Sequence, residues 1–159
     1  EELSQLVDEM LSINEELPRL KELAGDFPAL VSNLGLPLIS LASSPAVATV
    51  KLPLILGKPK LSLEGGRIYL TRKAFIDMAD EKYACYLYLY LDGIENQLRG
   101  KSKGEILQLT CLPTSVFDVD KALAQKTELE ARIQELEEHR SQVDEEIDHR
   151  VYHLYGLTD

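Results

Sequence analysis

Residues 83–104 read YACYLYLYLDGIENQLRGKSKG, and whether this stretch is a strand or a helix decides the fold. Strict alternation of residue types covers only residues 86–91. Over the longer span one helical face collects five apolar or aromatic residues, Tyr83, Leu87, Tyr90, Ile94 and Leu98. The sequence therefore predicts a helix that is capped at its start by Asp77 or Asp80 and ends at Gly100.

The tyrosines of this helix are predicted to pack in or beside the core with their hydroxyl groups in water. Stacking of one ring on a nucleic-acid base is the alternative. The stretch ends in a loop at 99–104, RGKSKG, which has three basic residues in a chain whose formal net charge is −10. This loop is therefore locally basic, although the chain as a whole is acidic.

The chain has 159 residues, which suits one domain with a helical extension. Cys85 and Cys111 lack CxxC spacing and are predicted to be buried thiols, without a disulfide, of a cytoplasmic protein. No run approaches the roughly 18 apolar residues of a membrane span, and the start is too acidic for a signal peptide, so no membrane partner is expected. Because the chain begins inside an amphipathic pattern without an initiator Met, we expect a fragment of a longer protein.

Charge is unevenly distributed along the chain. Residues 1–50 carry net −6 and residues 105–159 net −8, whereas residues 51–104 hold ten basic and six acidic side chains, net +4. Attraction of phosphate is local and is screened within about 10 Å. The basic middle is therefore more informative about partners than the total charge.

Short β-rich runs between turn residues predict a small antiparallel sheet. They are VATVKLPLIL at 47–56, PKLSL at 59–63 and GRIYLTR at 66–72, with a turn at Gly65 and Gly66. EILQLTCLP at 105–113 is predicted to be a returning strand. The stretch after residue 25 is predicted to be irregular, partly buried chain.

Two long amphipathic helices are predicted at the ends of the chain. The first covers residues 1–24 and ends or kinks at Pro18. The second runs from about 116 to 154, with a seven-residue repeat of Ala122, Leu129, Leu136 and Val143 and a second row of Ile133, Ile147 and Leu154, which Lys126 and Arg140 interrupt. Their common spacing predicts an antiparallel coiled coil within the chain. A homodimer through the C-terminal helix is the alternative.

The predicted fold class is thus α+β: a small antiparallel sheet with a packed helix, plus two long amphipathic helices that pair as an antiparallel coiled coil. The predicted segments are an N-terminal helix at 1–24, a small α+β domain at 25–114 and a C-terminal spacer helix at 115–159.

Motifs of catalysis are missing from the sequence. There is no phosphate-binding glycine loop, no GxSxG and no Asn-Pro-Pro-aromatic tetrapeptide, so this chain is predicted to be non-catalytic and to need no cofactor. His149 and His153 are four residues apart on a helix, but two ligands do not complete a metal site, and no metal is predicted.

Basic side chains of the middle segment fall at turns and at the ends of strands and helices, where they can reach a groove. Arginine can hold guanine and lysine can neutralise phosphate, so the set suits binding of double-stranded DNA. The predicted DNA-binding residues are Lys58, Lys60, Arg67, Arg72, Lys73, Arg99, Lys101, Ser102 and Lys103.

The C-terminal stretch QVDEEIDHRVYHLYGLTD resembles the end of restriction-modification adenine methyltransferases that carry a C-terminal target-recognition region. The shared positions are Ile147, Asp148, Val151, Tyr152, Leu154, Tyr155, Gly156, Leu157 and Thr158. The layout of residues 75–145 is also similar to type I restriction specificity subunits: a helix, a glycine-bearing polar loop, a short strand ending in proline, and a spacer helix.

The resemblance implies a DNA target-recognition fragment that docks on the catalytic methyltransferase part of its parent protein. The parent is then expected to be a DNA adenine methyltransferase or restriction enzyme. The alternative is a structural helical module that mediates subunit or domain assembly without direct DNA contact.

Overall fold

The computed structural model describes residues 2–156, with side chains from residue 3 onward. Leu157 and Thr158 of the C-terminal resemblance lie outside these residues. The chain divides into two units: residues 1–24 with 127–159, here the helical unit, and residues 25–126, here the α+β unit. The predicted α+β class is confirmed.

The elements follow one another as helix α1 (Glu2–Ala24), α2 (Phe27–Leu34), strand β1 (Leu38–Ser40), a 3-10 turn (Leu41–Ser43), β2 (Val47–Lys51), β3 (Ser62–Glu64), β4 (Arg67–Tyr69), β5 (Phe75–Met78), α3 (Glu81–Gly93), α4 (Glu95–Leu98), α5 (Lys103–Leu109), β6 (Cys111–Pro113) and α6 (Val116–Leu154). α6 contributes residues 116–126 to the α+β unit and the rest of its length to the helical unit.

The helical unit is held together by an apolar seam between α1 and α6. Its buried members are Ile13 and Leu17 on α1, and Leu136 and Val143 on α6. Glu9 contacts His139, and Glu16 forms an ion pair with Arg132. Residue numbers thus increase along α1 while those of the partners on α6 decrease, as antiparallel packing requires. A third pair, Lys21–Glu137, joins the helices diagonally.

Two details of the helical prediction need correction. α1 does not end at Pro18 but continues to Ala24. Proline removes the hydrogen bond to the carbonyl of Asn14, and because both residues are exposed, water can replace it. Leu154, predicted to lie in the second apolar row, is 69 % exposed.

Two antiparallel sheets lie in the α+β unit. One pairs β1 with β6, and the other has the strand order β2-β5-β4-β3. The inner side of the larger sheet buries Ile68, Leu70, Ile76 and Met78. α3 packs on β3, β4 and β5, and α2 packs on α3.

The central helix confirms the prediction for residues 83–98, with a break. Asp80 caps α3, accepting a hydrogen bond from the backbone N–H of Lys82, and Asp77 lies in β5 instead. The helix is interrupted at Ile94, which separates α3 from the single turn of α4. Gly93 permits close packing, since a Cβ there would lie 2.5 Å from Cδ of Pro28.

The predicted returning strand at 105–113 is wrong for most of its length. Residues 103–109 form α5, because the Ser102 hydroxyl accepts from the backbone N–H of Glu105 and the Glu105 carboxylate accepts from the backbone N–H of Ser102. This reciprocal capping box favours a helix start. Only Cys111–Pro113 is extended.

The irregular chain predicted after residue 25 contains regular structure. α2 is capped by Asp26 and closed by Gly35 in the left-handed conformation, and β1 follows. The predicted β-rich runs are shorter in the structure, and β5 was not predicted.

Candidate nucleic-acid interface

The two units differ strongly in charge. Residues 25–126 carry twelve basic and ten acidic side chains, net +2, whereas residues 1–24 and 127–159 carry five basic and seventeen acidic ones, net −12. All the predicted DNA-binding residues belong to the α+β unit, so any attraction of a polyanion must act there.

One side of the four-stranded sheet is open to solvent and is called the outer face here. Side chains alternate across a strand, so the pairing register places two rows of residues on it. The rows are Ser62–Tyr69–Phe75–Lys51 and Glu64–Arg67–Asp77–Thr49. Apart from the two aromatic rings, these side chains are polar or charged.

Arg67 is fixed at the centre of the outer face. Its Nε and Nη2 donate to the two carboxylate oxygens of Asp77 at 2.6 and 2.9 Å, and its Nη1 donates to the Tyr69 hydroxyl at 3.2 Å. The guanidinium carbon lies 3.9 Å from the ring centroid of Phe75. The hydrogen bond from Arg67 lowers the pKa of Asp77, and the same bond raises the pKa of Arg67.

Three predicted residues lie at one end of the outer face. Arg72 and Lys73 are in the hairpin between β4 and β5, and Lys60 is in the segment before β3. The backbone N–H of Lys60 donates to the Leu70 carbonyl, 2.9 Å away, and Lys60 lines a shallow groove with Arg72 and Tyr69. The Thr71 hydroxyl accepts from the backbone N–H groups of Lys73 and Ala74, which shapes the turn. Lys60, Arg72 and Lys73 are exposed.

A second group lies where the segment before β3 meets the loop after α4. Nε of Arg99 donates to the carbonyl of Leu56 at 3.0 Å, and the backbone N–H of Gly100 donates to Ile55 at 2.7 Å. Lys58 follows in the same segment and lines a groove with Lys60. Asp92 and Glu95 line the other side of that groove, so its charge is mixed.

The last three predicted residues stand at the start of α5. Ser102 is the N-cap, and the backbone N–H of Ser102 is the main cause of the lowered pKa of Glu105. Lys101 lies 3.9 Å from the Glu105 carboxylate, and Lys103 is exposed in the first turn. The loop predicted at 99–104 is therefore shorter in the structure, because residues 103 and 104 belong to α5. The Ser102 hydroxyl caps the start of that helix.

The structure thus brings Lys60, Arg67, Arg72 and Lys73 together on and beside the outer face and links Arg99 to the 55–60 segment. Sequence reasoning missed three residues of this face, Lys51, Tyr69 and Phe75. Phe75 and Asp77 are separated by one residue, and that alternation was the available signal for a strand.

Within residues 2–156 no three His, Cys, Asp or Glu side chains come together as metal ligands, and His149 and His153 are exposed. Over the same residues, no helix combines the length and the apolar character that crossing a bilayer requires.

The Arg67–Asp77 pair predicts a pH dependence of stability. Because the pKa of Asp77 is lowered in the folded state, its contribution is present above the unfolded pKa of about 3.9 and is lost as the pH falls through the folded pKa. Asp77→Asn should therefore be less stable than the wild type at pH 7, and the difference should shrink as the pH falls below the unfolded pKa of about 3.9. Urea titrations of both proteins across this range measure it, and a constant difference would contradict the ion pair.

No protein-family model matches the chain, and comparisons with curated proteins and with solved structures also found no match.

Proposed function

We propose that the α+β unit is a double-stranded DNA target-recognition module of a restriction-modification adenine methyltransferase. The observation that carries the proposal is the grouping of basic side chains on and beside the outer face and the 55–60 segment, in a unit of net +2, whereas the other unit of the chain carries net −12. The resemblance of the C-terminal string is the argument for the parent enzyme. The module is cytoplasmic and binds without catalysis of its own.

Exposed lysines in this unit would neutralise DNA phosphates, and such contacts position a protein on a duplex without reading its sequence. The bases would then be recognised by side chains whose hydrogen-bond donors are not already used within the protein. Arg72 meets that requirement better than Arg67, because three of the Arg67 donors are already bonded within the protein.

The helical unit would act as a structural support for the recognition module. Its buried seam makes a stiff antiparallel pair, and its net charge of −12 disfavours contact with DNA. In this proposal the unit spaces the recognition module from the catalytic methyltransferase part of the parent chain and docks on it.

The salt dependence of duplex binding tests the proposal. Each phosphate contact contributes about 0.9 to the slope of log affinity against log salt. Changing Lys60, Arg72 and Lys73 together to alanine should therefore lower the slope by up to about 2.7 and weaken binding at low salt. Fluorescence anisotropy with a labelled duplex measures both quantities.

The matched control removes three basic residues from the helical unit, Arg19, Lys21 and Arg132, and should leave the slope unchanged. Binding by the wild type that does not depend on salt, or equal effects of the two triple variants, would refute DNA binding through this surface.

The second candidate is an assembly module that acts without DNA. Exposed apolar side chains on the helices favour it, among them Val7 at 43 %, Leu11 at 58 % and Tyr152 at 49 % exposure. A homodimer through α6 is one form of such assembly. Sedimentation equilibrium at micromolar concentration distinguishes the candidates, since a stable dimer without affinity for DNA would favour assembly.

A further inference from the structure

The centre of the outer face holds an arginine beside two aromatic rings. β4 and β5 are the two inner strands of the sheet, and Tyr69 and Phe75 lie directly opposite each other on them, with ring centroids 6.0 Å apart. The Arg67 guanidinium lies over the Phe75 ring. The Arg67 side chain is 38 % exposed, so part of the group is open to a ligand.

The hydrogen bonds of Arg67 determine what this group can offer. Asp77 occupies one edge of the guanidinium with two hydrogen bonds, and the Tyr69 hydroxyl takes a third donor. The group is therefore held in one orientation before any ligand arrives. Three of its five N–H donors are used within the protein and Phe75 covers one face of the group, so a nucleobase would stack on the opposite face, as nucleobases do on planar guanidinium groups.

Charge around this centre favours a nucleic acid as the occupant. Lys51 pairs with Phe75 across the sheet, and Lys60, Arg72 and Lys73 stand at one end of the face. The acidic members of the face are Asp77, which Arg67 pairs, and Glu64. A row of phosphates passing the stacked base would meet more positive than negative charge.

We infer that the outer face binds single-stranded DNA, with one unpaired base stacked on the Arg67 guanidinium and phosphates near Lys51, Arg72 and Lys73. This goes beyond the duplex binding proposed above. In a duplex the faces of the bases are covered by their neighbours, so only an unpaired base can reach the plane of Arg67. Aromatic and guanidinium platforms of this kind bind single strands with little sequence preference.

The test is Arg67→Lys, which keeps the positive charge beside Asp77 and removes the plane. The ligand is a 12-nucleotide oligo(dT) strand with one central 2-aminopurine, whose fluorescence falls when the base stacks. Lysine has no planar group on which a base can stack, so we expect about tenfold weaker binding and loss of quenching in the variant. Arg19→Lys, the same substitution at an exposed position of α1 in the helical unit, is the matched control and should match the wild type, because it lies outside the outer face.

A measurement on the wild type covers the case in which Arg67→Lys folds poorly. Photo-crosslinking with 5-iodouracil in the same strand should label Tyr69 or Phe75. Binding of Arg67→Lys within twofold of the wild type, crosslinks confined to other segments, or no binding of the strand would each overturn the inference.

The two proposals fail separately. Salt-dependent duplex binding without single-strand binding would remove this inference and leave the proposed function intact. Single-strand binding that is lost in Arg67→Lys, together with no affinity for duplex, would support this inference and remove the proposed function.

Discussion

Replacing Tyr86 by alanine is expected to lower the free energy of unfolding of the α+β unit by about 4 kcal/mol. Tyr86 is fully buried on α3, and its ring packs edge to face on Phe27 of α2, with centroids 5.1 Å apart. Burial raises the pKa of its hydroxyl, which donates to the backbone carbonyl of Cys111 at 2.9 Å. Alanine would leave a cavity and break the links to α2 and β6 together.

Two further variants separate the contributions of the ring and the hydroxyl. Tyr86→Phe keeps the ring and should cost about 1 kcal/mol, the usual net value of one hydrogen bond. Phe117→Ala removes an aromatic ring that is 77 % exposed in the same unit and should change stability by less than about 0.5 kcal/mol. Urea unfolding followed by near-ultraviolet circular dichroism measures all three. A loss below about 1 kcal/mol for Tyr86→Ala would mean that α3 does not pack on α2 as described.

Leu17→Ala is expected to destabilise the helical unit by about 3 kcal/mol. Leu17 is 1 % exposed in the seam with Ile13, Leu136 and Val143. Alanine is at least as good a helix former as leucine, so the loss comes from packing between the helices. The same substitution at Leu11, which is 58 % exposed on the same helix, should change stability by less than about 0.5 kcal/mol.

Urea unfolding followed by far-ultraviolet circular dichroism compares these two variants. Similar losses at the two positions would show that α1 does not present a single buried face to α6. A loss at Leu17 that depends on protein concentration would instead indicate packing against a second copy of the chain.

The long helices were predictable because their signal is repeated many times. The heptad rows placed Leu136 and Val143 in the seam, and α6 begins and ends close to where the pattern does. The cap at Asp80 was also readable, since an aspartate before a periodic run is a common helix start. Each of these features depends on residues that are near one another in the sequence.

The short elements were less predictable. The capping box of Ser102 and Glu105 is visible in the sequence, but the apolar run that follows it resembles a strand equally well over so few residues. β5 has four residues, and its place in the sheet depends on pairing with β2 and β4.

For the candidate site, the sequence alone indicated where basic residues are dense, in residues 51–104, and it fixed the acidic character of both ends. It also determined the two long helices, because periodicity is a local property of the chain. Only the tertiary structure decided that Arg67 lies between Asp77 and Phe75 and that Lys51 shares their face. The reason is physical: strand register joins residues that are 6 to 31 positions apart, and no local pattern specifies which strand lies beside which.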